Sequence, residues 1–172
     1  MIARPRHRLA APALLVALGL GLAVCGGDDD SPTSATPPPT VGGSYFVQWT
    51  LQVLRKSDGF QKQFVCYGTM TLVQAPPAGS TSSLSGFAVV NSGCAPESYD
   101  LTGSVSAGGA IAFTTSGPKP PEGPCPGGKD VPFTGQVSTS GSYASLSTRG
   151  VTSVTCPEFG EHEFTYLINA SK

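Results

Sequence analysis

Charge is scarce in this chain, and the shortage narrows its chemistry before any motif is read. Only 12% of the 172 residues are charged, ten Lys and Arg against eleven Asp and Glu. No basic stripe exists for a nucleic-acid backbone or for an anionic membrane surface, so neither partner is expected. Histidine is limited to His7 and His162, and tryptophan to Trp49. There is no Ser–His–acid order around a nucleophile elbow, no Walker loop, no dinucleotide fingerprint and no H-E-x-x-H. The five cysteines include no C-x-x-C pair, the spacing that structural zinc favours. No enzyme activity, cofactor or metal is expected. Helical spacing with caps is also missing throughout.

Turn formers and small polar residues are plentiful instead. The chain has 22 glycines and 16 prolines, and Ser and Thr fill many of the remaining positions. That composition fits short strands joined by turns. A hydrophobic content of 39% suffices for one core, and the length allows one domain plus appendages.

The first 24 residues stand apart. Arg4, Arg6, His7 and Arg8 form a basic head, and LAAPALLVALGLGLAV from Leu9 to Val24 is an uncharged apolar run. A permanent span needs about 20 apolar residues, so the run suits a secretory signal better. Leu22-Ala23-Val24-Cys25 then resembles the lipobox of bacterial lipoproteins: Leu and Ala match, and Val24 stands where that family usually has Gly, Ala or Ser. The resemblance implies a signal peptide over 1–24 and a mature chain starting at a lipidated, palmitate-bearing Cys25. Gly26 in place of Asp at the second mature position implies the outer rather than the inner membrane of the cell envelope. The lipid anchor would be the membrane contact. Removal of the signal takes three arginines and leaves seven basic against eleven acidic residues, a net charge of −4.

Residues 25–43 read as the lipidated cysteine and a flexible Gly/Asp/Pro-rich tether, because GGDDDSPTSATPPPTVGG cannot bury enough apolar area to order itself. Its 18 residues after Cys25 reach about 60 Å at most. The folded domain is expected over 44–172. Period-two alternation and Gly/Pro/Asp punctuation predict eight strands there, over 44–55, 62–74, 82–91, 98–106, 110–116, 131–138, 142–149 and 162–170. A motif recurs in three of them, LSGFA at Leu84, LTGSV at Leu101 and FTGQV at Phe133.

Asp58-Gly59, Gly108 and Ser140-Gly141 mark tight hairpins. Two-residue turns there put Trp49 opposite Gly68 and Leu51 opposite Cys66. They also put Gly103 opposite Phe113, and Phe133 opposite Thr148. One face then collects Tyr45, Val47, Trp49, Leu51, Val53, Phe64, Met70 and Leu72, continued by Leu101, Val105, Ile111, Phe113 and Phe133. It closes with Val131, Val137, Leu146, Phe164, Tyr166 and Ile168, and no acid falls on it. Phe46, Val65, Val89 and Leu167 break the pattern on the other face. A single apolar face on eight meandering strands is best satisfied by closure, which removes both edges. The expected fold is all-β, an eight-stranded antiparallel up-and-down meander barrel with two disulfides at one end.

The disulfide expectation follows from where a meander places its connections. Cys66, Cys94, Cys125 and Cys156 all gather at one pole, and an exported protein meets an oxidising compartment. The Ser140-Gly141 centring, continued outward, pairs Cys125 with Cys156, and a centre at Ser80 in the Pro-Pro-Ala-Gly-Ser turn pairs Cys66 with Cys94. Each bridge closes a loop of about 30 residues, worth about 3–4 kcal/mol. The tether joins the opposite pole.

At the cysteine pole lies the proline-rich loop 115–130, and long loops on rigid scaffolds are where binding sites concentrate. Glu158, Glu161, His162 and Glu163 could suggest a metal cluster, but Glu161 and Glu163 point away from His162 in a strand. The interior can be filled by side chains or can hold one small ligand. Inward Gly68, Gly86, Gly103 and Gly135 either open room or permit the coiling that closure needs. Strand count and glycine punctuation resemble the avidin and lipocalin barrels, without the G-x-W of lipocalins, so no binding residue carries over. The functional expectation is a tethered monomer that acts as a binding or structural module through its loop end. The alternatives are a carrier of a small apolar ligand near Trp49, Phe113 and Tyr166, and a protease inhibitor using loop 115–130.

Overall fold

The computed structural model describes residues 35–94, 97–117 and 130–172. The expected signal peptide over 1–24, Cys25, most of the expected tether, Cys125 and the centre of loop 115–130 lie outside the described residues. Eight strands follow in order: β1 (Gly43–Arg55), β2 (Gln61–Gln74), β3 (Thr81–Ser92), β4 (Glu97–Ser106), β5 (Ala110–Ser116), β6 (Val131–Ser140), β7 (Tyr143–Cys156) and β8 (Gly160–Ser171). Each pairs antiparallel with the next, and β8 returns to β1, closing the barrel.

Alternation along each strand sets the core. Tyr45, Val47, Trp49, Met70, Leu72, Leu101, Ile111, Phe133 and Ile168 are all buried, and Leu84, Ala88 and Val90 complete the interior from β3. Phe46 points outward and is 79% exposed. Nearer the cysteine pole, Leu51, Val53, Phe64, Phe164 and Tyr166 keep the inward parity but are only half-buried. The barrel is packed in one half and open in the other.

Two hairpin registers differ from expectation, each by two residues. In β1–β2, Trp49 stands opposite Cys66 and Leu51 opposite Phe64. The Asp58-Gly59 pair does not form a two-residue turn by itself. Lys56 to Gly59 make a four-residue loop, with Gly59 (φ 73°) donating to Arg55 O at 3.0 Å and Arg55 N donating to Phe60 O at 2.9 Å. The Asp58 carboxylate organises it, accepting from Phe60 N and from the Arg55 guanidinium. In β6–β7, Phe133 stands opposite Gly150 because Gly141 (φ 60°) takes the first central position of the turn, not the second. Both slips are even, so every side chain keeps its face. The β4–β5 register, with Gly103 opposite Phe113, agrees.

β7 runs seven residues further than expected, to Cys156. Gly150 reads as a break in the sequence, yet it is an inward ladder position where a Cβ would meet Val131 Cγ1 and Pro132 O at 2.9 Å. The four inward glycines singled out above do not open room. A Cβ on Gly68, Gly86, Gly103 or Gly135 would lie 1.9, 2.0, 2.1 or 2.0 Å from a carbonyl oxygen of the adjacent strand. These are the points where strands approach most closely as the sheet coils into closure. Three of them are the glycines of the recurring motif.

The pole where β1 starts is closed by the chain leading into it. Val41 is 0% exposed within the core, and Tyr45 Oη donates to its carbonyl at 2.5 Å. Gln74 accepts from Val41 N at 2.7 Å and donates to Pro39 O at 3.1 Å. Lys172 donates to Gly42 O while its ammonium lies 5.1 Å from the Tyr45 ring centre.

Candidate ligand site at the cysteine pole

At the other pole the open half of the barrel forms a cavity of about 350 Å³. Register builds it in tiers. The deepest is Trp49 on β1, level with Cys66 on β2. Above it stands Leu51, with Phe64 opposite it on β2 and Tyr166 opposite it on β8. From β3 and β4 come Val90, Tyr99 and Glu97, with Val90 opposite Glu97 at the rim.

The Cys66–Cys94 disulfide forms part of the wall, with Cα atoms 5.4 Å apart as such bridges require. A β-bulge makes it possible. The β2–β3 ladder pairs Gly68 with Val90, then slips so that Tyr67 pairs with Ser92, leaving Asn91 as the extra residue. The slip, with Gly93 at φ 80°, carries Cys94 across to Cys66. The expected pairing holds, although the ladder itself is centred differently. Of the two expected bridges, this is the one seen among the described residues. Cys156 is buried at the β7–β8 turn and is not a free thiol; Cys125, its expected partner, lies outside the described residues.

Below the cavity the interior is filled. Trp49, 5% exposed, meets Phe133 edge to face with ring centres 5.9 Å apart, and Phe133 stacks on Phe113 at 5.1 Å. Of the three residues singled out for an apolar ligand, Trp49 and Tyr166 line the cavity with centres 6.3 Å apart. Phe113 lies in the packed half and takes no part in it.

Two functional groups escaped the sequence reading. Glu97 opens β4 at an inward rim position, correcting the expectation that no acid faces inward. Tyr99 follows it, its ring 4.9 Å from that of Trp49 and packed so closely on Gly117 that a side chain there would collide with it. Beginning the fourth strand at residue 98 left Glu97 outside it, and the inward list began only at Leu101; inward parity extended back from Leu101 identifies both Tyr99 and Glu97.

Tyr99 Oη donates to Glu97 Oε2. Burial first, then that hydrogen bond and the carboxylate charge, push the Tyr99 hydroxyl well above the ordinary tyrosine range. Burial, and secondarily the same carboxylate, also raise Tyr166. Both phenols therefore stay neutral under a negative field. Phe64, which lines the cavity, carries the ammonium of Lys62, which does not, with Nζ 4.7 Å from the ring centre.

His162 sits on β8 beside Phe164, while Glu161 and Glu163 face outward to Lys56. Among the described residues no group of three or more His, Cys, Asp or Glu is placed to hold a metal. A second groove, about 510 Å³, runs over the outer wall past Phe46, Tyr67 and Tyr143 and gathers no charged side chain. The molecule is thus a closed antiparallel β-barrel with one sealed pole and one hollow pole. No family model, curated protein or solved structure matches the chain.

Proposed function

We propose that this protein is a non-enzymatic binding module of the bacterial envelope. A lipid on Cys25 tethers it, by preference to the outer membrane, and it takes a small ligand at the pole remote from that tether. The observation that carries the reading is the aromatic-lined cavity of about 350 Å³, at the small end of the range that ligand sites occupy. A filled barrel would have placed side chains there. The chain's route supports the orientation, since β1 begins and β8 ends at the sealed pole. A second bridge, Cys125–Cys156, would fasten the long loop at the same pole as Cys66–Cys94. Compared with a protein partner for the loop, a small molecule fits the cavity better.

Two measurements test this reading. The full chain, with intact disulfides, is titrated with small neutral probes such as benzyl alcohol while Trp49 emission is followed. A saturable change that Val90→Phe abolishes, by filling the mouth, is expected. Emission unmoved by every probe would overturn the ligand reading. Palmitate labelling in the producing cell should be lost in Cys25→Ser, and labelling that persists would overturn the tether.

A further inference from the structure

The cavity gathers two kinds of group that a purely apolar ligand would not use. Trp49, Tyr99 and Tyr166 present electron-rich rings within one small space, with centres 4.9 Å and 6.3 Å from Trp49. Glu97 adds a carboxylate at its rim, joined to the Tyr99 hydroxyl. The faces of aromatic rings carry partial negative charge, and a cage of them beside an anion is how proteins hold alkylated ammonium groups. Resting on the ligand reading above, we propose that the occupant of this cavity is a small organic ammonium ion with apolar substituents, held by Trp49, Tyr99, Tyr166 and the Glu97 carboxylate.

Each group then has a task. Leu51 and Val90 cover the ligand's hydrocarbon portion. The three rings take the cationic head, and Glu97, exposed at the mouth, supplies the opposing charge. Among the described residues no lysine or arginine pairs with Glu97. A carboxylate or phosphate ligand would instead meet Glu97 as a like charge, and no lysine, arginine or histidine stands among the described residues that line the cavity.

The test compares choline with its neutral carbon isostere, 3,3-dimethylbutan-1-ol, which has the same shape and lacks only the charge. Both are titrated into the full chain, with binding read by Trp49 emission and by calorimetry. Choline is expected to bind about tenfold more tightly than the alcohol. Glu97→Gln should weaken choline by about three- to tenfold and leave the alcohol unchanged, and added salt should weaken choline alone. Glu97 is exposed, so the variant tests charge without endangering the fold. Equal affinity for the two probes would overturn the ammonium assignment while leaving a small-molecule site in place. Failure of choline, with neutral probes still binding, would do the same; failure of every probe would remove the ligand reading as well.

Discussion

Replacing Gly103 with alanine adds one methyl group to β4, and the fold leaves no space for it. On the native backbone that carbon would lie 2.1 Å from Ala112 O and 2.6 Å from both Cα and Cβ of Phe113. Ordinary carbon contacts need about 3.5–4.0 Å, so β4 and β5 must part by roughly 1 Å or more. The obstacle is backbone, which cannot swing aside as the end of a side chain can. Two ladder bonds weaken, at about 1 kcal/mol each. Forcing a methyl into a packed core adds about 1–3 kcal/mol, so the expected loss is about 3–5 kcal/mol. Gly108, in the β4–β5 turn, is the internal control. A Cβ there meets nothing within 4 Å, and its φ is not positive. Gly108→Ala should be neutral or should stabilise by about 0.5 kcal/mol, through a less free unfolded chain. Urea unfolding of the full chain, followed by Trp49 emission, measures both. A loss at Gly103 below about 1 kcal/mol, or an equal loss at Gly108, refutes the view that the recurring glycines mark strand-on-strand contact.

The disulfide and the first hairpin supply two further predictions. Converting both Cys66 and Cys94 to alanine releases a loop of sequence separation 28, which should lower stability by about 3–4 kcal/mol in the same urea assay; a change near zero would mean that the bulge alone fixes the wall. Asp58 is held down to about 2, chiefly by its hydrogen bond from Arg55 and then by the Phe60 amide. Its folded value lies below the ordinary 3.8, so its support for the turn is complete above that pH and is lost as pH falls through about 2. The Phe60 amide resonance should therefore titrate with a midpoint near 2 in the native chain and should not do so in Asp58→Ala. A native resonance that stays flat down to that pH would contradict the turn geometry.

The strands and their faces were legible because period-two alternation is a local property of each segment. The inward residues of the packed half, from Tyr45 and Met70 to Phe133 and Ile168, needed nothing else. Registers were less legible, because a turn's length depends on side-chain hydrogen bonds such as those of Asp58, and dipeptide chemistry alone does not reveal them. Cys66 still met Cys94, since the bulge at Asn91 offset the misplaced centre. The hollow pole was least legible. Whether Trp49, Tyr99 and Tyr166 leave space between them depends on ring orientations contributed by three strands, β1, β4 and β8, of which β4 neighbours neither of the others. Nor does a lone glutamate before a tyrosine announce a rim.

β1 begins at the sealed pole and is hydrogen-bonded along both its sides, to β2 and to β8. A pull applied between the N-terminus and something gripped at the hollow pole would run along that strand's own axis. Its two ladders would then be loaded in shear, many bonds sharing the force at once, where a strand peeled sideways would lose them singly. Before any of them felt it, the clasp of Gln74 and Tyr45 on residues 39–41 would take up the strain. Such an arrangement suits a molecule that must stay folded while held at both ends.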